Sequence, residues 1–193
     1  MPERYEKIAE IVSMTFNAPL IIFITYALII LKLRVELALQ FFIVSSLFSS
    51  ILPFTIFTYM VKKGSIQDIF ASVRQTRINP LVSTLMSFLC GVIVLQFLNA
   101  SESLISFMVC LFINTFVIMI ITEKWKISIH AASIMCPVTF LVYKLGYGMI
   151  PFFLLVFPVA WARLKLGAHD SKQIIAGSLI AFALTIVQLQ VFS

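Results

Sequence analysis

An all-α, polytopic transmembrane bundle of about six to seven membrane helices is the fold class this sequence predicts, on three observations. Of 193 residues, 61% are hydrophobic and only 11% charged, against about 25% charged in a soluble domain. The mean hydropathy is +1.08. Apolar runs near the ~20 residues needed to cross a bilayer recur along the chain. No internal repeat or low-complexity segment interrupts them, so one domain over residues 1–193 is expected.

The opening residues mix Glu3, Arg4, Glu6, Lys7 and Glu10. A secretory signal has a short basic start instead, so the first apolar run reads as a retained helix. That helix is expected over 11–31 with Pro19 inside, and a second over 38–61 with Pro53 inside. Proline is tolerated in membrane helices where neighbours re-satisfy the freed carbonyl. Residues 61–79 are the longest polar connection and carry Lys62, Lys63, Asp68, Arg74 and Arg77. Helices over 80–98 and 103–122 form a hairpin around Asn99 and Glu102. After the Glu123–Lys126 turn, with Trp125 at interfacial height, come short helices over 128–144 and 148–162. A helix of ~17 residues spans only about 25 Å, less than the ~30 Å hydrocarbon core. A last helix is expected over 172–192.

The three cysteines, Cys90, Cys110 and Cys136, stand singly in apolar runs. Neither a disulfide framework nor a metal knot has that spacing, and they read as buried small apolar side chains. The formal charge of +6 fits a membrane orientation signal and an anionic lipid ligand. Nucleic acid is excluded as a partner, because no basic run with interleaved aromatics exists outside the spans. No metal-ligand set and no cofactor motif is visible.

With seven crossings, the N-terminus, the 61–79 connection, the 123–127 turn and the 162–172 stretch share one side. That side carries Arg4, Lys7, Lys62, Lys63, Arg74, Arg77, Lys124, Lys126, Arg163, Lys165 and Lys172. The other has Lys32, Arg34 and Lys144. The positive-inside rule then makes the basic side cytoplasmic, and the cell membrane is the expected location. Some of these cations have a second use as phosphate ligands, while Lys62, Lys63, Lys165 and Lys172 read as headgroup anchors.

Both histidines fall on the basic side, His130 beginning one helix and His169 another. Ser128 sets a hydroxyl near the first, and Arg163 precedes the second. His169 and Gln173 are four apart, so on a helix they share a face. An imidazole whose Nδ1 proton is held by a side-chain oxygen offers its Nε2 lone pair as a nucleophile. Phosphoryl transfer asks mainly for charge placed around three oxygens. Arg163, Arg74, Arg77 and Lys126 are such a clamp, and a second histidine can protonate the leaving alkoxide.

These residues resemble the type-2 phosphatidic acid phosphatase superfamily, which holds lipid phosphate and polyprenyl diphosphate phosphatases. Its third motif, Ser-Arg-x5-His-x3-Asp, is similar to Ala162-Arg163, five residues, His169, three residues, Gln173. Its second, Pro-Ser-Gly-His, is similar to Ile127-Ser128-Ile129-His130. Its first, Lys-x6-Arg-Pro, is matched loosely, with compressed spacing, by Arg74 to Pro80. The likeness spans about residues 70–180. It implies that His169 forms a phosphohistidine, His130 is the general acid, and Arg163, Ser128, Arg77 and Arg74 hold phosphate. Lys126 is added on charge and position. Gln173 stands where the family has the aspartate that orients the nucleophile. An amide accepts the Nδ1 proton but cannot neutralise imidazolium.

The function expected is a metal-independent membrane phosphohydrolase. It would act on a lipid phosphate or polyprenyl (di)phosphate, with membrane lipids as surroundings. The alternative is a non-catalytic lipid-phosphate binder or transporter on the same fold. Tail, headgroup and oligomeric state are not written in the sequence.

Overall fold

A computed structural model describes residues 2–34, 36–66 and 74–191, and among these residues the only regular structure is helical. Asp68, in the polar connection, lies outside the described residues. In chain order the α-helices are α1 (Pro2–Thr15), α2 (Ala18–Leu33), α3 (Ala38–Ser46), α4 (Leu52–Lys62) and α5 (Ile78–Phe97). They continue with α6 (Glu102–Lys124), α7 (Ile129–Leu145), α8 (Val156–Lys165) and α9 (Ser171–Val191).

The first helix expected, 11–31, is in fact two. Asn17 caps α2 with its side chain, accepting from the Leu20 N–H at 2.9 Å, and Pro19 follows in the first turn. Proline has no N–H to continue a helix begun upstream, so the chain restarts at Ala18 and bends by 45°. The polar opening segment is itself helical. It lies against α8 through its small residues Ala9 and Ser13, one turn apart and both fully buried.

Helices α3 and α4 form one continuous run, Ala38–Lys62, as expected. A π-helical turn at Leu47–Ile51 joins them just before Pro53. That wider turn makes room for the proline ring, and the Phe48 carbonyl accepts from the Ser87 hydroxyl of α5. A neighbouring helix thus re-satisfies a carbonyl beside the break.

The span before the last helix corrects the sequence expectation of shortness. Gly146, at φ 94°, ends α7, and Tyr147–Leu155 then forms nine residues of 3-10 helix running straight into α8. At about 2.0 Å per residue for the first part and 1.5 Å for the second, Tyr147–Lys165 reaches about 33 Å. An α-helix of equal residue number would stop near 28 Å. Among the described residues five runs are long and apolar enough to cross a bilayer, and six if α1 and α2 count as one bent span. Five is fewer than the six to seven expected; six is reached only if the bent pair is one span, and α7, of 17 residues, falls short by length.

Helix α7 is the centre of the bundle, packed against α2, α6, α8 and α9. Its buried residues run from Ala131 to Leu141 on every face, as expected of a helix shielded all round. The aromatic chain Tyr26–Phe107–Phe140, with centroids 4.9 and 4.7 Å apart, binds α2, α6 and α7. Across α6 and α9, Asn114 Nδ2 donates to Thr185 Oγ1 at 3.1 Å, a polar tie of the kind that joins membrane helices. On the outside, Leu31, Ile93, Phe97, Leu154, Phe157, Leu179 and Val187 are exposed. So continuous an apolar exterior suits lipid and not water. Cys110 and Cys136 are buried as expected, but Cys90 is exposed on this outer face.

Candidate active site

Helix α8 stops in a way that decides where His169 goes. Gly167 takes the left-handed conformation, φ 59°. The Gly167 N–H bonds the Leu164 carbonyl at 3.0 Å and the Ala168 N–H bonds the Arg163 carbonyl at 3.0 Å. This Schellman pattern reverses the chain and satisfies the last carbonyls of the helix. The His169 N–H also reaches the Arg163 carbonyl, at 3.3 Å, so the stop fastens the arginine and the histidine to each other.

His169 was expected on the last helix; it lies just before it. Asp170 caps α9, its Oδ1 accepting from the Gln173 N–H at 2.8 Å. Aspartate is among the preferred caps and its charge suits the positive end of the helix dipole. The cap holds Gln173 so that its Oε1 sits 2.8 Å from His169 Nδ1. The amide oxygen accepts the Nδ1 proton, and Nε2 is the remaining basic nitrogen.

Ser128 caps α7, its Oγ accepting from the Ala131 N–H at 3.4 Å, and it is wholly buried. Its own N–H donates to the Gln173 carbonyl at 3.2 Å. Helix α9 comes this close because residue 177 is glycine: a Cβ there would stand 2.5 Å from the Ser128 carbonyl oxygen. Gln173 thereby serves two elements, orienting His169 with its side chain and receiving Ser128 with its backbone.

Arg77 and Arg163 are both 1% exposed. Arg77 begins α5 and its Nη1 donates to the Ile127 carbonyl at 3.1 Å. Arg163 Nη1 lies 3.4 Å from Ser13 Oγ on α1. His130 is in hydrogen-bonding contact with the Ser13 backbone and within electrostatic range of Arg163, His169 and Arg77. Burial pushes the His169 pKa down to about 4. The Gln173 hydrogen bond opposes that fall, while the charges of Arg77, Arg163 and Lys126 add to it.

His169, Gln173, His130, Ser128, Arg77, Arg163 and Lys126 therefore meet at one end of the bundle, drawn from three separate connections. Arg74 is directed elsewhere. Its Nη1 donates to the Thr122 carbonyl at 3.2 Å and also to the Glu123 carbonyl, closing the end of α6, where a cation suits the dipole. Lys165 and Lys172 are exposed, as headgroup anchors would be. Ser13 was missed by the sequence reading. It falls near the start of the first helix expected, 11–31, and the small residues Ala9 and Ser13, one turn apart, are the only local mark of a close packing face.

A cavity of about 170 Å3 adjoins this cluster, with Arg77 and His130 in its wall. Among the described residues no three His, Cys, Asp or Glu side chains gather as metal donors. No family model, curated protein or solved structure matches the chain.

Proposed function

We propose that this protein is a membrane phosphohydrolase that removes phosphate from a lipid phosphate through a phosphohistidine on His169. The observation that carries the reading is the pairing of His169 Nδ1 with Gln173 Oε1 inside a ring of positive charge from Arg77, Arg163 and Lys126. A held Nδ1 proton leaves Nε2 to attack phosphorus in line with the leaving oxygen. The buried guanidiniums stabilise charge on the three equatorial oxygens as they would on no neutral substrate. His130 gives its proton to the leaving alkoxide, and then takes one from the water that hydrolyses the phosphohistidine. Ser128, a buried hydroxyl with its acceptor side engaged, can still donate to a phosphate oxygen. The motif resemblance over residues 70–180 supports the same roles.

In this reading α2 and α7 complete seven crossings, and the site faces the cytoplasm from the cell membrane, since most lysines and arginines share its side. The lipid enters sideways, its headgroup reaching the cluster while its tail stays in hydrocarbon.

The test is phosphate release by purified protein in lipid nanodiscs, in the presence of a chelator, over a series of lipid monophosphates and diphosphates. Release by the native protein and its loss in His169→Ala, by about 10³-fold or more, is the expected result. A second reading, lipid-phosphate binding without turnover, is favoured by one observation: the partner of His169 is an amide, not a carboxylate. Tight binding with no release by the native protein would select it.

A further inference from the structure

The cavity that has Arg77 and His130 in its wall also has Asn114 of α6 and Cys136 of α7. From His130 to Cys136 is about 9 Å along α7. Asn114 is 4% exposed, and its bonding is one-sided. Its Nδ2 donates to the Cys110 carbonyl at 2.9 Å and to Thr185 Oγ1 at 3.1 Å, so both amide protons are engaged. Its Oδ1 is buried with no hydrogen-bond partner among the described residues. The amide has to stand this way round, because the Cys110 carbonyl needs a donor. An acceptor left bare inside a membrane protein is costly.

Two hydroxyls of the same wall repeat the pattern. Thr84 of α5 donates to the Pro80 carbonyl, and Ser133 of α7 to the His130 carbonyl, each at 2.9 Å. Their protons are engaged too, and lone pairs are what each oxygen has left. Acceptors on three helices call for donors. The Arg77 charge disfavours a cationic one such as an ammonium. One hydroxyl of a larger molecule brings a single proton, whereas a water brings two. A water needs only ~10–15 Å3 of cavity, and about 170 Å3 is present.

We infer that the cavity holds a chain of bound water, anchored at Asn114 and reaching His130, which supplies the water that hydrolyses the phosphohistidine. The inference rests on the phosphohydrolase reading and adds a source for the second reactant. A lipid seated at the cluster excludes water from the side it enters, so water has to arrive from another. In the step itself, the water oxygen bonds to phosphorus as the bond from phosphorus to His169 Nε2 breaks. That electron pair returns to the imidazole, and the water proton goes to His130. Asn114 touches none of these atoms; it is a positioning residue that keeps water in the cavity.

The experiment exposes full-length protein in phosphatidylcholine nanodiscs to brief X-ray radiolysis in oxygen-18 water, which oxidises side chains beside bound water. After correction for side-chain reactivity, Leu111, Ile118 and Cys136 should label about fivefold or more faster than Phe107 and Phe140 of the aromatic core. Asn114→Leu should lower that labelling about fivefold. If loss of the Thr185 tie unfolds this variant, the Thr84→Val and Ser133→Ala double variant removes the other two acceptors and should lower labelling about threefold. Cavity residues labelled no faster than the aromatic core, or labelling unchanged in the variants, overturns the water chain. Rapid quenching with phosphorus-32 dodecyl phosphate then follows phosphohistidine formation and breakdown separately. In the same variants breakdown should slow about fivefold or more while formation holds within about twofold. A merely structural defect would slow both alike, and that result, or breakdown at the native rate, overturns the supply role. The two readings fail separately. A labelled cavity in a protein that forms no phosphohistidine defeats hydrolysis and leaves the bound water standing, whereas phosphate release with an unlabelled cavity defeats the water chain alone.

Discussion

His169 Nδ1 and Gln173 Oε1 stand 2.8 Å apart, although the histidine lies two residues before the helix that carries the glutamine. The contact depends on the Asp170 cap, which starts α9 at Ser171 and turns Gln173 back toward the loop. Because the acceptor is neutral, it orients the ring with little help to its positive form. Burial then dominates, and the His169 pKa falls to about 4, against about 6.5 for an unfolded chain.

The first prediction concerns that proton. At pH 6 the unfolded chain carries a largely protonated His169 and the folded chain a neutral one. Folding thus loses stability as pH falls from about 6.5 toward 4, and gains nothing further above 6.5. At neutral pH the ring should be the Nδ1–H tautomer with Nε2 basic. Nitrogen-15 NMR of histidine-labelled protein, assigned with His130→Asn, reads this directly, since the chain has only two histidines. A His169 midpoint at or above 6.5 would sink the assignment.

Gln173→Glu puts a carboxylate where the amide is. An opposite charge at hydrogen-bonding distance favours imidazolium, so the His169 midpoint should rise by about 1–3 units. The acid limb of kcat/KM, which reports the free enzyme, should move up with it. A limb that stays in place would separate His169 from the chemistry.

Gly177→Ala tests the seating of Ser128. The added Cβ would meet the Ser128 carbonyl oxygen at 2.5 Å, and backbone cannot swing aside. Overpacking of this kind costs about 1–3 kcal/mol, and the strain falls where α7 and Gln173 meet. A lowered Tm and a fall in kcat of tenfold or more are expected together. Gly91→Ala is the control: its Cβ meets the flexible Met108 Cε and the Phe48 Cβ, each at 2.8 Å, far from the histidines. It should lower Tm while kcat holds within about twofold.

The helix-level fold could be read from hydropathy because each membrane helix is a long apolar run whose ends carry charge. What hydropathy could not show was backbone detail set by single residues. The break at Phe16 needs the Asn17 cap together with Pro19. The 3-10 stretch needs Gly146 before and Pro151 within, and neither alters the hydropathy of the run. At the site, spacing linked His169 to Gln173 and Arg163, since local hydrogen bonds join them. Arg74 misled because charge and position fit a phosphate ligand and a helix C-cap equally well. Its choice of the Thr122 carbonyl is a tertiary fact.

The last prediction separates charge from geometry at Arg163. Its Nη1 is held 3.4 Å from Ser13 Oγ, while its backbone carbonyl accepts from Ala168 and His169. Arg163→Lys keeps the charge and the backbone bonds but loses the planar fork that grips two phosphate oxygens. Kcat/KM for phosphate release should fall about 10²-fold with Tm little changed. Ser13→Ala removes only the hydroxyl that steadies the guanidinium, a hydrogen bond to a charged group worth about 1.5–3 kcal/mol at most. At 3.4 Å the bond is long, so the loss should stay within tenfold and show mainly in KM. The arginine is then the phosphate ligand and the serine its support. Equal losses in the two variants would mean that α1, and not the fork, governs the site.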